Sequence, residues 1–108
     1  KSHKISAVAV SIISYFELEY GVRNSDNVWQ NKAALNKFID SIHLIGMDRL
    51  AADSSALIRA ELKKKGTSIG PYETLIAGIA LSQNLILVSN NIREFERVEG
   101  LKIENWLE

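Results

Sequence analysis

Asn84-Leu85-Ile86-Leu87-Val88 has no polar face beyond its first residue, and it constrains the fold more than any other stretch. A short run that is apolar on both faces reads as a fully buried strand, the kind found in parallel sheets covered by helices. The residues before it, Ile69 to Leu81, read as a helix with a defined start. Gly70 suits the N-cap and Pro71 suits N1, where a missing N–H costs nothing. Glu73 then falls at N3, where a carboxylate meets unpaired amides and the positive end of the helix dipole. Leu75, Ile76 and Ile79 form a stripe to be buried. Glu73, Ala77 and Ala80 form a second, smooth face along which a ligand could approach the carboxylate. After the strand come Ser89-Asn90-Asn91-Ile92-Arg93-Glu94-Phe95. Ligands of open parallel sheets bind beyond the carboxyl ends of the strands, so this junction is the candidate site.

The rest of the chain supplies the layers. Lys4 to Ser11 is β-branched and short, and reads as a strand. Ser14-Tyr15-Phe16-Glu17 fits a capping box, with Ser14 at the N-cap and Glu17 at N3 of a helix running to Val22. Asn24-Ser25-Asp26-Asn27 breaks that helix, and Val28, Leu35, Phe38, Ile39 and Ile42 place a second one over roughly 28–41. His43 to Met47 is a second strand. Asp48 can cap a third helix that ends at Lys63-Lys64-Lys65-Gly66, with cations at the negative dipole end and glycine beyond. A helical turn from Ile92 to Arg97 breaks near Gly100, and Leu101 to Trp106 alternates as a half-exposed edge strand. Strands alternating with helices predict an α/β domain, one unit over 1–108, with a mostly parallel sheet between helical layers.

Composition limits the functions. Lys plus Arg and Asp plus Glu each number 13 in 108 residues, which argues against a partner bound by bulk charge but leaves room for a local basic rim. There is no cysteine, so disulfides and thiolate metal sites are excluded. No apolar run approaches the roughly 18 residues of a membrane span. No signal peptide is visible, and a cytoplasmic location is the expectation. The chain opens on Lys1 and its only methionine is Met47, so it reads as a fragment or a processed or trimmed chain.

Glu17 follows the first strand, Asn91 follows the strand at 84–88, and Glu73 sits on the helix between. Two carboxylates and an amide oxygen are hard donors that suit Mg²⁺ or Mn²⁺ rather than zinc. Such a cation can lower the pKa of a bound water and polarise a phosphodiester. The ordinary readings compete. Glu17 and Glu73 at N3 are favoured for capping alone, and Asn91 before Glu94 is a plain N-cap pair. Glu19 reads as a solvated neighbour. Arg93 and Arg97 could meet RNA phosphates or be simple exposed charges. His3 and His43 match no ligand pattern, and Trp29 and Trp106 read as packing residues.

Tyr15-Phe16-Glu17-Leu18-Glu19-Tyr20-Gly21 resembles the Glu-Leu-x-x-Gly element of VapC-type PIN-domain toxins. Gly66 to Ala77 is similar to that family's Gly-x-x-Ile-Gly-x-x-Asp-x-x-Ile-Ala. Leu87 to Leu101 resembles the stretch after its fourth strand, and Glu104-Asn105-Trp106 its C-terminal end. The resemblance covers nearly the whole chain in order. It implies a three-layer PIN fold and a Mg²⁺- or Mn²⁺-dependent endoribonuclease, the toxin of a type II toxin–antitoxin pair. The implied partners are an RNA substrate, a cognate antitoxin and a second copy of the chain. Glu17 and Glu73 would be metal-site acids, with Asn91 at the last polar position and Arg93 and Arg97 facing RNA. Apolar helix residues such as Tyr15, Phe16 and Tyr20 would serve the protein contacts.

Two departures set further expectations. Glu73 stands where the family has Asp, which moves the carboxylate by about one C–C bond in a setting where sub-ångström placement matters. Family members also open with a strand ending in Asp-Thr-Asn that supplies the first metal-site acid, and nothing in Lys1 to Val10 matches it. The chain is therefore expected to lack that strand and acid, and to be impaired, with the cation weakly bound or absent. Each buried backbone group left unpaired costs about 1–3 kcal/mol, against a typical total stability of about 5–15 kcal/mol. Three outcomes follow: the strand is present but unlisted, a partner's strand fills the slot by swapping, or the flanking strands pair directly. A swapped oligomer or a rearranged sheet is the expectation. Two other readings compete: a non-catalytic remnant that keeps antitoxin-binding or dimerisation surfaces, and a receiver-like module phosphorylated on Asp48. Capping is the favoured role for Asp48, because no matching acidic pair precedes it.

Overall fold

The computed structural model describes residues 9–89 and 91–105. Lys4 to Val8 of the first expected strand, His3, Asn90 and Trp106 lie outside them. The chain divides into two compact units, 1–46 and 47–108.

In the first unit, β1 (Ala9–Ser11) runs directly into α1 (Ile12–Arg23), followed by α2 (Val28–Asp40) and β2 (His43–Ile45). β1 and β2 are parallel, with Ala9 opposite His43 and Ser11 opposite Ile45. The helix begins earlier than its capping box suggested. Ser11 is both the last strand residue and the N-cap, its Oγ accepting from Ser14 N–H at 3.0 Å. A hydroxyl here satisfies one of the helix's orphan donors. Glu17 therefore lies in the second turn, not at N3. Glu19 is not merely solvated: it accepts from Arg23 Nε at 2.7 Å and from Lys32 Nζ at 2.6 Å, pinning α1 to α2. Both cations hold its carboxyl below the usual Glu range, Lys32 most strongly. Leu35 and Ile45 are the buried apolar residues of this unit, whereas Trp29 is 90% exposed and does not pack as expected.

The second unit contains α3 (Arg49–Lys65), α4 (Pro71–Ser82), β3 (Ile86–Val88), α5 (Ile92–Phe95) and β4 (Lys102–Glu104). Asp48 caps α3, its Oδ1 accepting from Ala51 N–H at 2.9 Å. Both long helices close with paired 6→1 and 5→2 bonds. In α3, Thr67 N–H donates to Leu62 O and Gly66 N–H to Lys63 O, with Gly66 left-handed at φ 71°. In α4, Leu85 N–H donates to Ala80 O and Asn84 N–H to Leu81 O, with Asn84 at φ 56°. Asn84 is thus the turn residue rather than the first residue of the strand, and asparagine is among the few side chains that tolerate this region.

α3 buries Ala51, Ser55, Ile58 and Leu62, a single face, and α4 buries Thr74 and everything from Ile76 to Ala80. The Ala77–Ala80 face is therefore covered and is not an open approach. The two helices approach closely at Gly78, where an added Cβ would overlap Ser55 Oγ and lie 2.9 Å from Ser55 Cα. β3 and β4 are parallel, Ile86 opposite Lys102 and Val88 opposite Glu104. The strand expected to be buried on both faces is not: Ile86 is 41% and Val88 42% exposed. β3 pairs with β4 alone among the described residues, so one of its edges is unpaired there, and Ile86 and Val88, two residues apart, put the exposure on one face. The described strands form two parallel pairs, β1 with β2 and β3 with β4.

The Gly78 contact yields a prediction. Gly78→Ala pushes a methyl against Ser55 Cα, and overpacking of this kind costs about 1–3 kcal/mol. Urea unfolding should show a lower midpoint with an unchanged slope. An unchanged midpoint would mean that the helices separate freely.

Candidate functional site

α4 ends in the tight turn at Asn84 and leads into β3, so its N-terminus comes back beside the residues that follow β3. The chain leaving that strand is held residue by residue. Ser89 N–H continues the ladder to Glu104 O at 3.0 Å. Ser89 Oγ accepts from Asn91 N–H at 2.9 Å, an Ser-turn that sets the entry to α5. Asn91 is the N-cap of α5, but its side chain makes no cap bond; its Nδ2 donates to Glu94 Oε2 at 3.3 Å. Glu94 in turn crosses to α4, its Oε1 accepting from Gly70 N–H at 2.8 Å.

That last bond decides between two roles for Glu73. In a capping box the N3 carboxylate reaches back to the N-cap N–H. Gly70 is the N-cap and Glu73 is N3, so Gly70 N–H is the group Glu73 would take as a cap. Glu94 takes it instead. Glu73 makes no hydrogen bond or ion pair among the described residues, although its Oε1 lies against Gly70. A Cβ built on Gly70 would overlap Glu73 Oε1 and pass 3.7 Å from Glu94 Oε1. The missing side chain at position 70 is therefore what lets the Glu73 carboxylate lie here beside Glu94.

Glu94 is held below the usual Glu range, first by the Gly70 N–H, then by the Asn91 amide, with the charge of Arg97 adding to both. Desolvation opposes these and loses. Arg97 Nη1 also donates to Ser68 O at 3.1 Å. Arg93 is exposed and has no partner among the described residues.

The structure thus brings Glu73, Asn91 and Glu94 together, with Arg97 bonded to the loop that carries Gly70. Glu17 belongs to the first unit, exposed on α1 and no longer in a capping position. Glu94 is the residue that sequence reasoning took only as Asn91's capping partner. The criterion that selected Asn91, proximity to the carboxyl end of an apolar strand, applies equally to it.

The family model for the PIN domain matches residues 2–101. The chain belongs to the PIN-domain family. It is 44% identical over 101 residues to the tRNA(fMet)-specific endonuclease VapC of Salmonella typhimurium, covering 94% of this chain and 76% of that protein. It is 38% identical over 103 residues to ribonuclease VapC2 of Rickettsia felis, covering 95% and 77%. The crystal structure of DNA-bound VapBC from Salmonella typhimurium superposes with a TM-score of 0.88 at 44% identity, covering 91% of this chain and 74% of that one. The PIN fold expected from the sequence is therefore the fold observed, and VapC-type PIN domains are nucleases that generally depend on a metal ion.

The donor set of this PIN domain fits such an ion. Glu73 contributes an uncommitted carboxylate, Glu94 an ionised one and Asn91 an amide oxygen. All are hard oxygen ligands. No group of three His, Cys, Asp or Glu side chains placed to hold a metal ion occurs among the described residues.

The bonds to Glu94 set its response to acid. A carboxyl whose native pKa lies below its unfolded value of about 4.3 contributes stability that is full above that value. The contribution is lost as pH falls through the lower native pKa. Glu94 should titrate below the ordinary Glu value by carbonyl NMR, and Glu94→Gln should remove its share of the acid-side loss of stability. Glu19, shifted the same way, remains in both proteins, so the difference isolates Glu94. A Glu94 midpoint at or above the ordinary value would contradict these bonds.

Proposed function

We propose that this chain is a VapC-like endoribonuclease, the toxin of a type II toxin–antitoxin pair, acting in the cytoplasm with Mg²⁺ or Mn²⁺. The observation that carries the reading is the Glu73 carboxylate, placed at the head of α4 yet relieved of capping by Glu94. The 44% identity to a tRNA(fMet)-specific endonuclease supplies the reaction class and makes a structured tRNA the first substrate to assay. The family model runs unbroken from residue 2 to 101, which supports one domain spanning both compact units.

Glu73 and Asn91 would hold the cation, with Glu94 beside them, and the family resemblance counts Glu17 among the metal-site acids. A hard cation held there would lower the pKa of a water and polarise the phosphodiester. The chain's own groups do the rest. Glu73 presents charge from the positive end of α4, whose dipole favours its ionised form. Glu94 fixes Asn91 and Gly70 together, so the amide oxygen and the Glu73 carboxylate keep one separation. Arg93, exposed and unpartnered among the described residues, takes an RNA phosphate oxygen. Hydrolysis would join a water oxygen to phosphorus and break one P–O ester bond, the leaving oxygen taking up a proton released by that water.

The Salmonella relative was crystallised as VapBC, and this chain is expected to bind an antitoxin of its own. Phe16 is 52% and Tyr20 64% exposed on α1, which offers an apolar contact for it.

Glu17→Gln and Glu73→Gln each remove a charge with little change of shape. Either should lower metal-dependent cleavage of tRNA by more than about 100-fold, beyond what a supporting residue gives, with unchanged circular dichroism. Full activity in Glu17→Gln would exclude it from the site. A wild-type chain that cleaves no RNA with either cation would overturn the reading.

A further inference from the structure

The loop that carries Gly70 is tied at two points, one on α5 and one on the turn that follows it. Gly70 N–H donates to Glu94 Oε1 at 2.8 Å, and Ser68 O accepts from Arg97 Nη1 at 3.1 Å. The bonds leave the chain two residues apart and arrive three residues apart. One bond would let the loop pivot about it; two fix its direction. The neighbouring backbone bonds do not replace them, since Thr67 N–H returns to Leu62 in α3 and Thr74 N–H closes the first turn of α4 on Gly70 O. For Ser68 to Gly70, Glu94 on α5 and Arg97 just after it are the links to this segment among the described residues.

We propose that Arg97 is a positioning residue: by holding the Ser68 carbonyl it keeps Gly70 on Glu94, and so keeps the Glu73 carboxylate pointed at the cation. The inference rests on the metal-dependent reading of the site. It reassigns an exposed cation that would otherwise be taken as an RNA contact. The geometry favours the first role, because part of the Arg97 guanidinium is committed to a carbonyl whereas Arg93 is committed to no group among the described residues. The location favours it too. Loosening this loop returns Gly70 N–H to Glu73, and a carboxylate that caps its own helix is withdrawn from metal binding. Placement within fractions of an ångström governs such sites.

The test compares Arg97→Ala, Arg97→Lys and Arg93→Ala in the full protein. Mn²⁺ alone is titrated without RNA, kcat and KM for tRNA are measured, and hydrogen exchange of the Gly70 amide is followed without metal. Arg97→Ala should weaken Mn²⁺ binding by about 10–100-fold, the range for residues that orient a ligand. It should lower kcat, leave KM for RNA unchanged and speed exchange at Gly70. Arg97→Lys, which keeps one donor and the charge, should recover part of each. Arg93→Ala should raise KM and reduce the salt dependence of RNA binding by about one ion, with Mn²⁺ affinity and Gly70 exchange unchanged. If Arg97→Ala instead behaves like Arg93→Ala, the proposal is overturned and Arg97 is a phosphate contact. If the wild-type chain neither binds Mn²⁺ nor cleaves RNA, the metal-dependent reading fails. Gly70 exchange then still decides: faster in Arg97→Ala supports the clamp, and unchanged removes it.

Discussion

One backbone N–H, that of Gly70, has two carboxylates within reach, and the structure gives it to Glu94. Pro71 has no N–H to offer, so the Gly70 amide is the first donor at the head of α4. The bond is charge-assisted, with an ionised acceptor, and such bonds are roughly twice as strong as neutral ones. Its consequences run outward. Ser89 fixes Asn91, Asn91 and Gly70 together fix Glu94, and the start of α4 is joined to the end of β3 by side chains rather than by a longer sheet. Strands of three residues would align those elements poorly by themselves. The polar chain supplies the alignment, and Glu73 is left as a carboxylate in a favourable field with no donor of its own among the described residues.

Much of this was legible locally. Asp48, Gly66, Gly70 and Pro71 each act within one turn of where they stand in the sequence, and each does what its chemistry predicts. The same logic failed where two local readings competed. Ser11 and Ser14 are both able N-caps; strand β1 ends directly at Ser11, so the helix starts there and Glu17 moves out of the capping turn. Asn84 looked like the edge of an apolar run, but α4 needs a left-handed residue to close, and Asn84 provides it.

The remaining misreadings concern partners distant in sequence. Glu19 looked solvated because Lys32, thirteen residues on, is invisible to helical spacing. Glu94 looked like half of a local cap because its true partner, Gly70, lies twenty-four residues earlier. The apolar run at 85–88 implied burial on both faces, yet burial depends on what covers each face, and Ile86 and Val88 remain half-exposed among the described residues. Family resemblance named Glu17 and Glu73 but could not show which carboxylate would cap and which would stay open.

The claim that Glu94 caps α4 so that Glu73 can bind metal is tested most directly by crystals grown with Mn²⁺ and measured at its absorption edge. The account predicts an anomalous peak about 2.1 Å from a Glu73 carboxylate oxygen, with Gly70 N–H still donating to Glu94. A manganese ion coordinated without Glu73, or a Glu73 carboxylate turned back onto Gly70 N–H at saturating Mn²⁺, would contradict it.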